Sequence, residues 1–532
     1  MIPQIIHQIW HSPEYDRGDG TPQSWKSINP DWEYRLWMDQ DLVDFFTKDY
    51  PDLLELYLSF PNNVQRADLA RYVLLHRFGG VYADMDTDCL APLAPLIVED
   101  RIVLCEEPRI HAEFVLAFGS DRLIFNGTMA SPAGHPFWMH VVRMIVRNRH
   151  AMNKDVLIST GPVLLTFSVQ AWPSQESEIE VNSCHLFAPL NKWGRVAIDA
   201  PHGDHAMLKL SQHNWSGSWH SEPTETRWQQ FKGYARALKA RYGQRMKPIS
   251  KAVVAQLDKV LLLSPIERLN LERLPQVVIF VPVKDAEPFI DRHMALIDAL
   301  DWPKDRLRLV YCEGDSQDRS RALLENMQLQ KASDFGDFKI LSHSSGLRLD
   351  RADRWKPKHQ LNRRSAIAAA RNRMIREELR DDDEWVLWID IDVCDFEPDV
   401  LRKLLNAKEK IVTPDCVLDR GGPSYDLNTY LETGSPRRSE FFKYVTAGLF
   451  QPPANYWRRL HLHDLRFASK VPLTAVGGTM LLVHGSIHRA GLVFPEAPYG
   501  YLIETEAFGL MARDAGIVPY GLPDIEIVHV KS

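Results

Sequence analysis

The second half of the chain alternates short apolar runs with amphipathic segments. Residues 277–282 are apolar at every position and predict a buried strand, a helix follows up to Leu300, and residues 307–312 predict a second strand. Strands that alternate with helices are typical of a parallel, doubly wound sheet, whose ligands bind at the carboxyl ends of the strands. The pattern therefore predicts an α/β domain with a ligand site at one sheet edge.

The first half contains the same two kinds of element in a less regular order. Residues 4–10 predict a strand, residues 41–57 a helical segment, and residues 64–78 a helix. Gly79-Gly80 is a stop signal for that helix, because glycine readily adopts the left-handed conformation that ends helices. The chain then restarts as a strand over residues 81–83. The first half is therefore also predicted to be an α/β domain.

Each half carries an Asp-x-Asp pair directly after an apolar, extended run. The pairs are Asp84 with Asp86 and Asp390 with Asp392. Because alternate side chains of a strand share a face, both carboxylates of a pair can converge where the strand ends. Such carboxylates suit Mg²⁺ or Mn²⁺, which can bridge the diphosphate of a nucleotide. The cation offsets charge on a departing phosphate, which is the main demand of glycosyl transfer from a nucleotide sugar.

Length and composition limit the class of protein. A chain of 532 residues predicts two domains of about 250 residues each. The net charge of −7 argues against a nucleic-acid partner. The six cysteines show no Cys-x-x-Cys spacing, so a reducing compartment fits best and no zinc site is indicated. No signal peptide and no membrane-spanning run is recognised, which predicts a cytoplasmic protein and leaves peripheral contact with a membrane open.

The domain boundaries follow from a change of pattern near the middle of the chain. Residues 234–274 read as helical, with Arg and Lys mixed into apolar positions and without an acidic pair. We predict a first domain over residues 1–240, a helical connector over 241–274 and a second domain over 275–532.

Both halves place charged residues on one helix face before the acidic pair. Asp68 and Arg71 are three residues apart, which fits a surface ion pair of little energetic value or a pair that binds sugar and phosphate. Arg364 and Arg371 also share a helix face, which fits a solvated basic face or a phosphate-binding one. The downstream acidic pairs favour the binding role in both halves. The acidic stretch 381–384 is predicted to be a solvated turn.

A set of motifs in a specific order covers about the first 220 residues. They are Ile5-Ile6-His7-Gln8-Ile9-Trp10, Asp68-Leu69-Ala70-Arg71-Tyr72, Gly79-Gly80 through Asp86, Asn126, Thr160-Gly161-Pro162, and His213 with Ser218-Trp219. This part of the chain resembles glycosyltransferase family 32, which includes the fungal initiating α-1,6-mannosyltransferase. The resemblance implies a GT-A fold, with Trp10 near the base and Asp68 and Arg71 on the donor.

The same resemblance implies a closed metal and diphosphate site. Asp84 and Asp86 would surround the metal, with His213 as a further ligand, and Ser218-Trp219 would close over the diphosphate. Taken alone, His213 is more often a surface or structural histidine. Trp10 could equally be a core residue.

A second set of motifs runs from about Val277 to the C-terminus. It comprises Tyr425-Asp426-Leu427-Asn428, Val476-Gly477-Gly478-Thr479-Met480-Leu481-Leu482-Val483, Arg489-Ala490-Gly491-Leu492-Val493-Phe494-Pro495, Ile503-Glu504-Thr505-Glu506, and Tyr520-Gly521-Leu522-Pro523 with His529. This part resembles glycosyltransferase family 62, the fungal mannan-polymerase mannosyltransferases. The resemblance implies GDP-mannose as donor, Mn²⁺ held by Asp390 and Asp392, and retaining chemistry. Arg371 would touch the diphosphate and His529 would be a late metal ligand. Glu504 contacts the acceptor or is a structural carboxylate.

Three functions other than glycosyl transfer to a glycan fit the sequence less well. Both acidic pairs also fit the nucleophile motif of haloacid dehalogenase-type phosphatases, but both lie well inside their domains and the second acidic motif comes in the wrong order. A toxin-like glucosyltransferase would need a delivery region, and none is recognised. A glycan-binding or dimerisation module is disfavoured because neither acidic pair has decayed.

The prediction is two nucleotide-sugar-binding, Rossmann-like GT-A domains in tandem, forming a bifunctional, metal-dependent, retaining glycosyltransferase. GDP-mannose would serve the second site and a UDP- or GDP-sugar the first, with a glycan or glycolipid acceptor and one Mn²⁺ or Mg²⁺ per domain. The alternative is one active mannosyltransferase whose other domain binds glycan or assists assembly. The predicted catalytic residues are Asp68, Arg71, Asp86, Asp392 and Glu504. The predicted donor-binding residues are Trp10, Asn126, Ser218, Trp219, Arg364, Arg371, Gly477 and Gly478. The predicted metal ligands are Asp84, Asp86, His213, Asp390, Asp392 and His529.

Overall fold

The computed structural model describes residues 1–10, 21–98, 100–116, 118–205, 207–216, 249–250, 253, 256–257, 274–347, 353, 356–434 and 438–531. They belong to two compact units, the first within residues 1–223 with 464–468 and the second within residues 224–463 and 469–532. Among the described residues, no helix has both the length and the apolar character needed to cross a membrane. The predicted connector lies almost entirely outside the described residues, so the predicted domain boundaries stay predictions.

The first unit consists of short strands and mostly short helices. The strands are β1 Ile5–Ile9, β2 Glu33–Trp37, β3 Gly80–Ala83, β4 Thr87–Cys89, β5 Ile102–Cys105, β6 Thr128–Ser131, β7 Ile179–Asn182 and β8 Ser211–His213. The helices are Thr21–Ile28, Asp39–Asp49, Pro51–Ser59, Asn63–Phe78, Glu113–Leu116, Pro136–Arg147, Val156–Ser159, Pro162–Gln170 and Gln175–Glu178. The strand predicted over 4–10 and the helix predicted over 64–78 are confirmed. The helical segment predicted over 41–57 is instead two helices, because Pro51 begins the second one and the chain bends at Tyr50.

The first sheet places the acidic pair at the end of a central strand. Within the described residues, six strands are ordered β2-β1-β3-β6-β5-β7. β1 is parallel to β2 and β3, whereas β6 is antiparallel to β3 and β5. All four residues of β3 are buried, so this strand lies in the core and Asp84 follows its carboxyl end. β4 and β8 pair separately and antiparallel, which places Thr87 opposite His213.

The second unit is built on a longer sheet. Its strands are β9 Val277–Val283, β10 Leu307–Glu313, β11 Asp337–Ser342, β12 Trp385–Ile389, β13 Val393–Asp395, β14 Ile411–Val417, β15 Leu431–Glu432, β16 Val445–Thr446, β17 Leu449–Phe450, β18 Arg459–Leu460, β19 Val471–Pro472, β20 Met480–His484 and β21 Tyr520–His529. Its helices are Ile290–Asp298, Ser320–Lys331, Gln360–Glu378, Val400–Asn406, Arg438–Lys443, Gly485–Arg489 and Glu504–Asp514. The strands predicted over 277–282 and 307–312 are confirmed.

The second sheet is mixed. Within the described residues, nine strands form it, eight of them in the order β11-β10-β9-β12-β20-β14-β21-β13, with β19 also paired to β21. The predicted parallel arrangement is confirmed for β11, β10, β9 and β12. Beyond β12 it is wrong for β20, which runs antiparallel to both β12 and β14, and for β13 and β19, which run antiparallel to β21, whereas β14 and β21 are again parallel. Asp390 still follows the carboxyl end of a central strand, as the doubly wound pattern predicts.

The acidic stretch 381–384 is not simply a solvated turn. Asp383 is fully buried and forms an ion pair with Arg308 of β10, which is itself 2% exposed. The backbone N–H of Arg380 also donates to Asp383 at 2.8 Å. The prediction of a solvated turn is therefore wrong for Asp383, because a buried arginine on a neighbouring strand compensates its charge.

Candidate functional site

Three side chains that can ligate a metal converge at the carboxyl end of β3. Nε2 of His213 lies 3.1 Å from Oδ1 of Asp86 and 3.7 Å from Oδ2 of Asp84. One ligand atom from each residue lies within 4.8 Å of the others, and this is the one such group of His, Cys, Asp and Glu found among the described residues. Two carboxylates and an imidazole are donors that suit Mn²⁺ or Mg²⁺. The residues present therefore fit a divalent cation, and His213 is not merely a surface histidine.

The pairing of β4 with β8 brings these residues together across the sequence. Thr87, the residue after Asp86, lies opposite His213 in the antiparallel ladder. The backbone N–H of Asn214 also donates to the carbonyl of Asp86 at 2.9 Å. Two short strands thereby hold a histidine from far along the chain against the acidic pair.

Asp84 is held in place from three directions. The Nη1 of Arg71 lies 3.1 Å from its Oδ1, and the Tyr82 hydroxyl donates to the same oxygen at 2.7 Å. The Gln8 side chain donates to the backbone carbonyl of Asp84 at 3.0 Å. Oδ1 of Asp84 is thus in contact with Arg71 and Tyr82, whereas Oδ2 faces His213.

Asp68 and Arg71 form a buried pair rather than a surface one. Nη2 of Arg71 lies 3.1 Å from Oδ1 of Asp68, and the two side chains are only 5% and 3% exposed. Asn126 donates to Oδ1 of Asp68 at 3.0 Å, and Thr160 donates to Oδ2 at 2.8 Å. Burial raises the pKa of Asp68 to about 6, although Arg71 and Thr160 act to lower it. The predicted site residues Asp68, Arg71 and Asn126 therefore belong to one network.

The segment after β8 completes the cluster. Ser216 donates from its backbone N–H and its hydroxyl to Oδ2 of Asp86, at 3.0 and 2.7 Å. Burial alone would lower the pKa of His213, but its bonds to Asp84 and Asp86 raise it to about 9. Burial alone would raise the pKa of Asp86, but the bonds from His213 and Ser216 hold it well below its usual range. Ser218 and Trp219, predicted to close the site, lie outside the described residues.

These groups line a single cavity of about 770 Å³. Its walls include the metal-ligand trio, the Asp68–Arg71 pair, Asn126 and Trp10. Trp10 thus borders the cavity, and its contact with a base stays a prediction. A cavity of this size holds a drug-sized or nucleotide-sized ligand.

In the second unit, Asp390 contacts an arginine. Nη2 of Arg371 lies 3.0 Å from Oδ1 of Asp390, and its Nε donates to Glu504 at 3.2 Å. Burial raises the pKa of Asp390 to about 7, although Arg371 acts to lower it. Arg371 is 2% exposed, so it does not belong to a solvated basic face. The same contact gives Glu504 a structural partner, and its role toward an acceptor stays a prediction.

Asp392 and His529 reproduce part of the first cluster. Nε2 of His529 lies 3.1 Å from Oδ1 of Asp392. Val393, the residue after Asp392, lies opposite His529 in the β13–β21 ladder, just as Thr87 lies opposite His213. However, among the described residues Asp390, Asp392 and His529 do not form a set whose ligand atoms all lie within 4.8 Å of one another. The second trio is therefore less gathered than the first.

The other residues predicted in the second unit lie around Arg371. Arg364 pairs with Glu506 and donates to Asn428 at 2.7 Å. A Cβ on Gly478 would lie 2.4 Å from Nη2 of Arg371, and one on Gly477 would lie 1.8 Å from Oδ2 of Asp426. Glycine at these two positions therefore lets Asp426 and Arg371 approach the backbone closely.

The sequence interpretation assigned no role to several residues that hold the predicted ones, although Tyr82, Asn428 and Glu506 lie within the motifs that carry the two resemblances. Tyr82 and Ser216 bind the first acidic pair, and Asn428 and Glu506 bind Arg364 in the second unit. Tyr82 precedes Asp84 by two positions along an extended chain, so the alternation of faces was a usable signal for it. The other contacts join residues far apart in sequence, where no local pattern indicates a partner.

Comparison with protein families matches two parts of the chain. Residues 16–103 match the glycosyltransferase sugar-binding region containing DXD motif, and residues 264–498 match Anp1. The first range includes Asp68, Arg71 and the first acidic pair, and the second includes Arg371 and the second pair. Both predicted resemblances are thus confirmed.

Curated relatives match parts of the chain. Inositol phosphoceramide mannosyltransferase 3 of Schizosaccharomyces pombe is 37% identical over 175 residues, which cover 32% of this chain and 46% of the relative. Mannan polymerase complex subunit mnn9 of the same organism is 27% identical over 271 residues, covering 48% of this chain and 80% of the relative. The chain spans about half the length of the first relatives, 46% and 48%.

Among solved structures, the mannosyltransferase PcManGT from Pyrobaculum calidifontis, in complex with GDP-Man and Mn²⁺, is similar at 14% identity. The match covers 57% of this chain and 68% of that chain, with a TM-score of 0.29.

Proposed function

Because the chain carries a DXD-containing sugar-binding region followed by an Anp1 domain, we propose that it is a glycosyltransferase that moves a sugar from a nucleotide-sugar donor to an acceptor hydroxyl. The observation that carries this proposal is the gathering of Asp84, Asp86 and His213 in one cavity with Asp68 and Arg71. This arrangement combines a site for a divalent cation with a buried charged pair beside it.

The residues of the first unit have separable tasks in this reaction. Asp84, Asp86 and His213 would hold Mn²⁺ or Mg²⁺, which supplies positive charge that stabilises the departing diphosphate. Arg71 keeps Asp84 in position and compensates the charge of both Asp68 and Asp84. Asp68, fixed by Asn126 and Thr160, presents a rigid carboxylate to donor hydroxyls. Ser216 fixes the second carboxylate of the pair.

The transfer needs no reactant besides the nucleotide-sugar donor and the acceptor. The acceptor oxygen bonds to the anomeric carbon as the bond from that carbon to the diphosphate oxygen breaks, and the departing diphosphate takes the acceptor proton. We propose a retaining outcome, which the anomeric configuration of the product would test by NMR.

We propose that the second unit transfers mannose from GDP-mannose and that the first unit takes a UDP- or GDP-sugar as donor. The support is the similarity to proteins named mannosyltransferases and mannan polymerase subunits. The support for two sites is the repeated pairing of an Asp-x-Asp turn with a histidine-bearing strand, Thr87 opposite His213 and Val393 opposite His529.

The test is release of nucleoside diphosphate by the full chain with Mn²⁺ over a panel of UDP- and GDP-sugars. Asp86→Ala and Asp392→Ala are compared with the matched controls Asp88→Ala and Asp395→Ala. Asp88 accepts from Asn214 at 3.0 Å, and Asp395 pairs with Arg420 at 2.7 Å, so each control carboxylate has a partner outside its metal cluster. We expect each site variant to lower turnover of its own donor by about two orders of magnitude or more, and each control to leave it unchanged.

Two results would contradict the proposal. Full turnover in both site variants would exclude a role for the acidic pairs. Phosphate release from a phosphomonoester that depends on Asp390 would indicate a phosphatase instead.

A second candidate is a single active mannosyltransferase whose other unit binds glycan or assists assembly. The observation that favours it is the difference between the trios, since the ligand atoms of Asp84, Asp86 and His213 lie within 4.8 Å of one another and those of Asp390, Asp392 and His529 do not. In that case one site variant abolishes all turnover and the other abolishes only glycan binding.

A further inference from the structure

A buried carboxylate outside the metal-ligand trio lines the same cavity as the trio. Glu107 is 9% exposed, and both Glu107 and His111 border this cavity. The backbone N–H of Lys192 donates to Nε2 of His111 at 3.1 Å, so Nδ1 carries the proton and donates to Oε2 of Glu107 at 2.9 Å. Among the described residues, His111 is the one hydrogen-bond partner of the Glu107 side chain, so Oε1 is open to a ligand.

The first sheet places Glu107 at the same edge as the acidic pair. β3 and β5 are both antiparallel to β6, which lies between them, so their carboxyl ends meet the same edge. Asp84 directly follows β3, and Glu107 comes two residues after the end of β5. Neighbouring strands are about 4.8 Å apart, so β3 and β5 are about 10 Å apart. Glu107 is therefore separated from Asp84 by a span that a sugar ring can occupy, and it is not a member of the gathered ligand group.

One indole ring packs against both the partner of this carboxylate and a metal ligand. The ring of Trp215 meets the imidazole of His111 edge to face, with 4.6 Å between centroids, and that of His213 with 4.5 Å between centroids. The backbone N–H of Trp215 also donates to Nδ1 of His213 at 3.0 Å. The histidine that orients Glu107 and a ligand of the cation site are therefore held by the same residue.

The neighbouring carboxylate of Glu106 has different surroundings. It lies 3.6 Å from Nη1 of Arg122 and 3.4 Å from Nε2 of His202, and Glu106 is not among the residues that line the described cavity. Successive side chains of an extended segment point to opposite sides, which accounts for the difference between the two glutamates. Glu106 is therefore a matched control for Glu107.

We propose that Glu107 is a further substrate-binding residue of the first site, whose Oε1 accepts a hydrogen bond from a sugar hydroxyl. This inference rests on the proposed transferase function and adds a second hydroxyl-binding carboxylate to Asp68. Because His111 fixes Oε2, the free oxygen is oriented before the substrate arrives, and a hydrogen bond to a carboxylate is stronger than one between neutral groups. Donor and acceptor sugars both carry hydroxyl groups, so the experiment has one arm for each.

The donor arm compares binding of a nucleotide sugar with binding of the bare nucleotide. The full chain carries Asp392→Ala so that the second site does not contribute, and calorimetry with Mn²⁺ measures GDP, GDP-mannose, UDP and UDP-glucose. If Glu107 binds the donor sugar, Glu107→Ala weakens binding of the nucleotide sugar by about tenfold or more and leaves binding of the nucleoside diphosphate unchanged. Glu107→Gln keeps an acceptor oxygen and should lose less. Unchanged diphosphate binding also shows that the variants are folded.

The acceptor arm measures transfer to a panel of methyl glycosides, together with donor hydrolysis in their absence. If Glu107 binds the acceptor sugar, Glu107→Ala leaves donor binding and hydrolysis unchanged and raises the KM for the glycoside by about tenfold or more. The control Glu106→Ala should match the parent chain in both arms, because its carboxylate does not line the described cavity.

The results that overturn the inference differ from those that overturn the proposed function. No difference between Glu107→Ala and Glu106→Ala in either arm would exclude a role for Glu107 in substrate binding. Loss of nucleoside diphosphate binding in Glu107→Ala and Glu107→Gln alike would show that Glu107 only supports the structure of the site. Absence of nucleoside diphosphate release by the wild type would contradict the transferase proposal itself, whereas the donor arm measures binding and needs no turnover.

Discussion

Arg71 and Arg77 lie on the same helix, and each pairs with an aspartate. The pair of Arg71 with Asp68 is almost fully buried, whereas the Arg77 side chain, which pairs with Asp49 at 3.0 Å, is 51% exposed. Arg71 also contacts Asp84, so its guanidinium compensates two carboxylates. Charge compensation is worth far more inside the protein than at the surface, where water screens the pair.

We predict that Arg71→Ala lowers the free energy of unfolding of the first unit by about 3–5 kcal/mol, because it leaves the buried carboxylate of Asp68 and the partly buried carboxylate of Asp84 without their cation. Arg77→Ala should change it by about 1 kcal/mol or less, since its pair is largely solvated. Denaturant unfolding of both variants at one pH gives the comparison. Equal losses in the two variants would show that burial does not distinguish the pairs.

A buried histidine in each unit accepts a hydrogen bond from an indole. Trp37 donates to Nδ1 of His7 at 3.1 Å, and Trp388 donates to Nε2 of His488 at 3.2 Å. The other ring nitrogen faces a carbonyl, Gly79 for His7 and Leu492 for His488. Each ring is thus held as one neutral tautomer, because a second proton would point at the indole N–H. Burial lowers the pKa of both histidines to about 4.

Because the pKa of these histidines is lower in the folded than in the unfolded chain, the free energy of unfolding depends on pH. The unfolded chain takes up a proton on His7 near pH 6.5, while the folded chain resists it down to about pH 4. Stability is therefore full above pH 6.5 and falls as pH drops toward 4, by roughly 3 kcal/mol for this group. We predict that His7→Gln makes the loss between pH 7 and pH 4.5 smaller by about 2–3 kcal/mol. The exposed His202→Gln is the control, and an unchanged slope in His7→Gln would contradict the prediction.

The sequence predicted the site residues that belong to short motifs. Asp84, Asp86, Asp68 and Arg71 could be found because helix and strand periodicity places them on common faces. Periodicity does not say that Asp68 is buried, since that depends on Asn126 and Thr160 folding over it from distant segments. The resemblance named both of these residues, but only the structure shows that they fix one carboxylate.

At the level of elements, the turn between the Asn63–Phe78 helix and β3 sets the position of Asp84 and Asp86. Gly79 and Gly80 have φ values of +63° and +89°, a region in which side chains with a Cβ are strained. A Cβ on Gly80 would lie 2.3 Å from the carbonyl oxygen of Ile5 on β1. Glycine is therefore required for both the conformation and the close pairing of β3 with β1.

We predict that Gly80→Ala destabilises the first unit by about 3 kcal/mol or more, from backbone strain together with the clash against β1. Gly119→Ala is a matched control, because Gly119 has a φ of +86° and no heavy atom within 4 Å of its added Cβ. It should cost only the strain, about 1–2 kcal/mol. Thermal and denaturant unfolding measure both variants. A loss in Gly119→Ala as large as in Gly80→Ala would mean that the contact with β1 adds nothing.

The short strands beside the two acidic pairs show what the sequence could not predict at this level. β4, β8 and β13 are three residues long, too short to give a periodic signal. Their pairing with partners far along the chain depends on the rest of each unit. It nevertheless repeats in both units, which indicates that an Asp-x-Asp turn needs a neighbouring strand to deliver the third ligand.

At the scale of the whole molecule, the two units differ in how closely their candidate metal ligands lie together. In the first unit, Arg71 contacts one oxygen of Asp84 and the other oxygen faces His213. In the second, Arg371 contacts Asp390, and the trio is not gathered among the described residues. A nucleotide diphosphate bound in the second unit would offer Arg371 another anionic partner and would supply further oxygen ligands to a metal ion.

We predict that the full chain binds one equivalent of Mn²⁺ without nucleotide and a second when GDP is present. Asp86→Ala should remove the first equivalent, and Asp392→Ala should remove only the one that depends on GDP. Calorimetric titration measures both, with Asp88→Ala and Asp395→Ala as controls. Two equal equivalents without nucleotide would show that the second trio binds the ion without further ligands, and none would show that the first trio is not sufficient to bind. The expected asymmetry follows from one difference: the ligand atoms of Asp84, Asp86 and His213 already lie within 4.8 Å of one another, whereas those of Asp390, Asp392 and His529 do not.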